Sequence, residues 1–157
     1  MPDSIDSPLT NSEIRFLQAL QHAGVRTILV GLSAAVLQGA DTATQELDLW
    51  FDNPDSPGIA EAARAAGGFF AARMQPPMIG GPGLERIDIV MTCQGLDDFD
   101  AEYARCLDVA IGEVRLRVLP IERVLYSKQC AGRPKDTAVL PQLRAAVAAR
   151  KARPAQL

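Results

Sequence analysis

Glu46 and Asp48 stand two residues apart in a stretch where Leu47, Leu49 and Phe51 alternate with Glu46, Asp48 and Trp50. Alternate residues of an extended chain share a face, so the two carboxylates project side by side. Asp88 lies in a second alternating stretch, residues 86–91, opposite the apolar face formed by Ile87, Ile89 and Met91. If the two stretches are neighbours in one sheet and the acids lie directly opposite, their Cβ atoms are ~5 Å apart. Such a trio supplies the hard oxygen donors that magnesium takes from proteins, where it keeps water and phosphate as its other ligands. The chemistry this serves is in-line displacement at the α-phosphorus of a triphosphate, with charge neutralised on the attacking and leaving oxygens. The competing reading is a set of acids on the wet side of a half-covered sheet.

Other residues fit the same chemistry. Val30-Gly31-Leu32-Ser33 is a strand end, a glycine turn and a hydroxyl at a helix start, which is a natural seat for a triphosphate tail. A strand-to-helix turn with no function has the same form. Lys128, Arg133 and Lys135 gather near one helix end, either as a phosphate clamp or as complements of the helix dipole. Trp50, next to Asp48, either stacks on a base or belongs to the core. The glycine- and proline-rich residues 75–83 form either a lid or a plain connection.

The elements that must hold these groups follow from local signals. Thr10 and Glu13 form a capping box, with Leu9 and Ile14 as a staple, so a helix begins there and ends at Gly24. Residues 27–30 read as a strand, 33–37 as a short helix closed by Gly39, and 47–51 as a strand. Ser56 and Pro57 start a helix that Gly67 and Gly68 stop, after which residues 69–72 are extended. Residues 74–83 read as a loop and 86–91 as a strand. Residues 97–107 read as a helix, 109–111 and 114–118 as a hairpin, and Pro120 opens a helix reaching Cys130. Gly132, Arg133 and Pro134 break it, and Asp136 or Thr137 caps a last helix through Arg150.

Composition bounds the rest. The 157 residues are enough for one domain and one core; 48% are hydrophobic and 22% charged, ordinary globular usage. The expected fold is α/β (α+β), a mixed sheet flanked by helices in a single domain spanning residues 1–157, with a core from about 10 to 150 and flexible ends at 1–8 and 153–157. A net charge of -3 argues against a bulk nucleic-acid coat, leaving a local basic patch at Arg144, Arg150, Lys151 and Arg153. Cys93, Cys106 and Cys130 lack metal spacing and His22 is the only histidine, so free thiols in a reducing cytoplasm are expected, with no zinc site. No apolar run reaches the ~20 residues of a membrane span, and no basic residue precedes Arg15 as a signal peptide requires.

Residues 30–51, VGLSAAVLQGADTATQELDLWF, resemble the nucleotidyltransferase superfamily, in particular its minimal and toxin-type members. Those show a strand, a Gly-Gly or Gly-Ser turn, a short helix and a Thr-x-Asp-h-Asp strand. Here Gly31 matches the first glycine, Ala34 the small helix residue, Gly39 the glycine after the helix, Thr44 the threonine, and Glu46 and Asp48 the metal pair. RIDIVM, residues 86–91, resembles the strand bearing the third carboxylate. SKQCAGRPKDTAVLPQL, residues 127–143, is similar to the Lys-x5-Lys/Arg-x-Lys-Asp segment of the toxin-like branch. The sequence departs from the pattern at Leu32, where a second small residue is usual, at Glu46, where aspartate is usual, and at Thr42, where a basic residue often stands.

The resemblance implies a metal-dependent nucleotidyltransferase using Mg2+ and an NTP such as ATP. Glu46, Asp48 and Asp88 would bind the metal, with Asp88 alternatively activating the acceptor hydroxyl. Gly31, Ser33, Thr44, Lys128, Arg133 and Lys135 would meet the nucleotide, and Asp136 would order the site. The acceptor is left open among a tRNA end, a protein hydroxyl as in toxin–antitoxin systems, and a small molecule such as an aminoglycoside-like antibiotic. The small size of the chain, apart from the resemblance, leads to the expectation of a partner protein or a homo-oligomer. The rival reading is a degenerate member that keeps the fold as a binding module, for which Leu32 and Glu46 are the grounds.

Overall fold

A computed structural model describes residues 9–152. The flexible ends expected at 1–8 and 153–157, and Arg153 with them, lie outside those residues. The chain opens with α1 (Asn11–His22), where Thr10 and Glu13 make the capping box reciprocally. It continues through β1 (Thr27–Leu29), α2 (Gly31–Leu37), β2 (Leu47–Phe51) and α3 (Pro57–Ala65), then β3 (Phe69–Ala71), β4 (Met78–Gly80) and β5 (Ile87–Val90). The last elements are α4 (Phe99–Arg105), β6 (Leu107–Ile111), β7 (Val114–Val118), α5 (Ile121–Ala131) and α6 (Pro134–Ala152).

Five strands form one mixed sheet in the order β5-β2-β1-β7-β6. β1 runs antiparallel to β2 and parallel to β7, while β2 and β5 are parallel. All five residues of β2 are buried, as befits a strand with neighbours on both edges and cover on both faces. Leu49, Ile28, Phe16 and Leu17 join one hydrophobic core that extends to Leu143 of α6.

α2 and β6 each begin two residues earlier than read from the sequence, and three further differences have a local physical reason. Residues 74–83 are not all loop: β4 lies within them and pairs antiparallel with β3, with the Phe69 ring lying across Gly80. Prolines and glycines on both sides of a three-residue strand hid it, and Ile79 is its one buried anchor. α6 starts at Pro134, before the expected cap at Asp136 or Thr137, because proline suits the first helical position and the Asp136 carboxylate accepts from the Arg133 amide (3.2 Å) from inside the first turn. α4 is shorter than residues 97–107, since Asp98 caps it (2.9 Å to the Ala101 amide) and the extended backbone of Cys106 leads into β6.

Buried polar groups tie the elements together. Glu13, fully buried, accepts from the Thr10 amide (2.9 Å) and from Arg86 Nε (3.0 Å) and Nη2 (2.7 Å), joining the start of α1 to the start of β5. Glu102 of α4 is also fully buried and accepts from the Asp97 amide (2.9 Å), Arg105 (3.0 Å) and both Nε (3.1 Å) and Nη2 (2.5 Å) of Arg123 in α5. Gln38, after α2, donates to the Leu119 carbonyl (2.8 Å) and accepts from the Ile121 amide (2.9 Å) and from Arg150 (2.8 Å).

Removing Glu13 takes away half of a capping box and the carboxylate that neutralises Arg86. Glu13→Ala is expected to lower the unfolding free energy by at least ~2 kcal/mol, read as a shifted midpoint in urea at pH 7. An unchanged midpoint would mean that water or another group replaces both contacts.

Candidate active site

The register of β2 with β5 sets Asp48 directly opposite Asp88. Glu46 lies just before β2, and one carboxylate oxygen from each of the three residues lies within 4.8 Å of the others. Asp48 is only 9% exposed, whereas Glu46 is open to solvent and Asp88 partly so. The spacing expected from alternation and pairing is thus realised.

Gly31 makes this arrangement possible. Its φ of +63° lies in the left-handed region, and a Cβ there would stand 2.6 Å from Asp48 Oδ2. Two residues on, the Ser33 hydroxyl accepts from the Asp48 amide (3.0 Å), donates to the Val30 carbonyl (2.9 Å) and lies 3.3 Å from Asp48 Oδ2. Thr44 folds the approach to β2, its hydroxyl accepting from the Glu46 amide (3.2 Å).

The opposite wall is basic. Asp136, 1% exposed, accepts from Arg133 Nε (2.6 Å) and Nη2 (3.2 Å) and lies 3.4 Å from Lys128 Nζ. Burial alone would raise the Asp136 carboxyl, but the Arg133 hydrogen bonds and the Lys128 charge hold it below its ordinary range. Arg133 is therefore engaged with Asp136, while Lys135 is exposed at the rim.

A cleft of about 530 Å³ lies between these walls. Every site residue singled out in the sequence lines it except Ser33, which sits behind Asp48. Leu32 lines it as well. Thr92, Cys93, Gln94 and Ser127 were not singled out; the first three follow β5 in a segment without a recognisable pattern, and Ser127 holds that segment by donating to the Gln94 carbonyl (2.8 Å). Burial pushes the Cys93 thiol up to about 12, so it stays neutral. Trp50 does not line the cleft; it is 8% exposed and meets Phe99 of α4 edge-on with centroids 5.3 Å apart. No residue of 74–83 lines the cleft either, so the lid reading of that segment finds no support. Arg150, expected in a basic patch, is taken up by Gln38 (2.8 Å) and Glu122 (3.6 Å).

Negative charge is crowded at the acidic wall. Burial, then the nearby Glu46 and Asp88 charges, raise the Asp48 carboxyl to about 6, against the opposing effects of Ser33 and Lys128. Three hard oxygen donors whose charge is only partly compensated fit a divalent cation such as magnesium.

Because Asp48 loses its proton near 3.8 when unfolded and near 6 when folded, its contribution destabilises the fold as pH rises through that window, by about 3 kcal/mol above it. Asp48→Asn is expected to raise the metal-free Tm at pH 7.5 and to leave it near the wild-type value at pH 4. Equal Tm differences at both pH values would show that Asp48 is not under this strain. Gly31→Ala is expected to cost ~1–2 kcal/mol from backbone conformation alone, plus displacement of Asp48, seen as a lower Tm even without metal.

No protein-family model matches the sequence, and none of the curated proteins does so. Among solved structures, the antibiotic-resistance factor ANT(2'')-Ia, an aminoglycoside nucleotidyltransferase whose solution structure revealed substrate-regulated conformation dynamics, is similar over 87% of this chain and 80% of its own, with a TM-score of 0.56 and 14% identity. The fold of this chain is nucleotidyltransferase-like: six helices around a five-stranded mixed sheet, with a small second sheet, among the described residues.

Proposed function

We propose that the protein is a nucleotidyltransferase that moves a nucleoside monophosphate from an NTP to an acceptor hydroxyl. The observation that carries this reading is the convergence of Glu46, Asp48 and Asp88 on the same cleft as Lys128 and Asp136, on a fold shared with a nucleotidyltransferase. Elsewhere acids are met by bases, as Asp108 is by Arg115 and as Asp52 and Asp100 are by Arg26.

In this reading Glu46, Asp48 and Asp88 hold magnesium. When bound, the ion neutralises charge on the attacking and leaving oxygens of the transfer. Asp88, more open than Asp48, is also placed to accept the proton of the acceptor hydroxyl. Lys128 and Lys135 bind phosphate oxygens, and Asp136 keeps Lys128 and Arg133 at that wall. Thr44 sets the backbone that presents Glu46. The acceptor belongs to one of three classes, a tRNA end, a protein hydroxyl as in toxin–antitoxin systems, or a small molecule.

Calorimetric titration of the wild type and of Asp48→Ala with a non-hydrolysable NTP analogue and Mg2+ tests the site. Metal-dependent binding that disappears in the variant is expected; no binding of any of the four NTPs to the wild type would sink the reading. Transfer of label from an α-labelled NTP onto RNA, protein or aminoglycoside then separates the acceptor classes, and Asp88→Asn is expected to lower that transfer by ~10²-fold or more.

A further inference from the structure

Val30 and Asp48 face each other where β1 gives way to α2. The Val30 amide donates to the Asp48 carbonyl (2.9 Å), which is one half of the paired bonds of an antiparallel ladder. The reciprocal bond, from the Asp48 amide to the Val30 carbonyl, is replaced by the Ser33 hydroxyl. That hydroxyl accepts from the Asp48 amide (3.0 Å) and donates to the Val30 carbonyl (2.9 Å), so one side chain is inserted into the ladder. Its hydrogen has a second acceptor in Asp48 Oδ2 at 3.3 Å. Ser33 is buried and does not line the cleft.

We propose that Ser33 is a positioning residue for Asp48, fixing both its backbone and its carboxylate from behind the cleft, and is not a ligand of the phosphates. The hydroxyl has one hydrogen, already given within the protein, so a phosphate oxygen could take it only by leaving the Val30 carbonyl or the Asp48 carboxylate without it. Without the hydroxyl, the Asp48 amide and the Val30 carbonyl lose their shared partner in a buried place, and the strand must shift where its carboxylate is presented. Groups that orient a metal's carboxylate ligands typically change metal affinity by about 10–100-fold when removed. This inference rests on the reading of Glu46, Asp48 and Asp88 as a metal centre.

The test is Mn2+ affinity, by calorimetry without nucleotide, for wild type, Ser33→Ala, Ser33→Thr and Ser33→Cys, with NTP-analogue affinity measured separately at saturating Mn2+. Ser33→Ala is expected to weaken Mn2+ binding about tenfold or more while NTP affinity at saturating metal changes less than about threefold. Ser33→Thr, which keeps the hydroxyl, is expected to restore the metal affinity. Should Ser33→Ala fail to fold, Ser33→Cys, with a weaker donor in the same place, is expected to give an intermediate affinity. Wild-type Mn2+ affinity in Ser33→Ala, or in Ser33→Cys where that stands in for it, overturns the proposal. So does loss of NTP binding with metal affinity intact, which is the mark of a phosphate ligand. A wild type that does not bind Mn2+ instead overturns the metal-centre reading beneath it.

Discussion

The pairing of β2 with β5 forces two carboxylates together against their mutual repulsion, and much of the molecule is arranged around that contact. Strand pairing sets side-chain register through backbone bonds, so Asp48 and Asp88 cannot separate without disrupting the ladder that joins Leu47 to Ile87 and Leu49 to Ile89. The stability that tolerates this crowding comes from elsewhere, from a strand buried along its whole length and a core that continues into α6. A site that costs stability within a well-packed scaffold is a common feature of proteins shaped by function.

The walls of the cleft handle charge differently. Asp136 is surrounded by donors and held as an anion, so its burial is compensated within the protein. Asp48, almost as buried, has neighbours of its own sign and only partial compensation from Ser33 and Lys128. Two aspartates of similar burial thus differ in what they leave unsatisfied, and only the acidic wall is short of positive charge. That asymmetry gives the cleft a direction, with cation demand at the sheet and cation supply at the helices.

Much of this arrangement was legible in the sequence where the signal was local and periodic. The capping box at Thr10, the alternation around Asp48 and Asp88, and the glycine at 31 each report a constraint within a few residues, and each appears in the structure. Signals that depend on distant partners were not legible. Ser33 reads as a turn hydroxyl until Asp48 is seen to donate to it, and β4 reads as loop until Phe69 is seen across Gly80. Glu102 shows nothing in its neighbourhood to mark it as the anchor between α4 and α5, since Arg123 comes from the next helix, beyond the β6–β7 hairpin. Trp50 gave a split reading that only the Phe99 contact resolves.

Gln38 is bonded at once to the end of β7, the start of α5 and the C-terminal part of α6. Through it, the helix that begins at Gly31 is braced to the helix that carries Lys128. The acidic and basic walls therefore share a strut, which resists a change in the gap between them. On the other side of the cleft, residues 91–98 reach α5 by fewer bonds, directly where Ser127 donates to the Gln94 carbonyl and indirectly through Glu102, so room for a large acceptor is easier to make there.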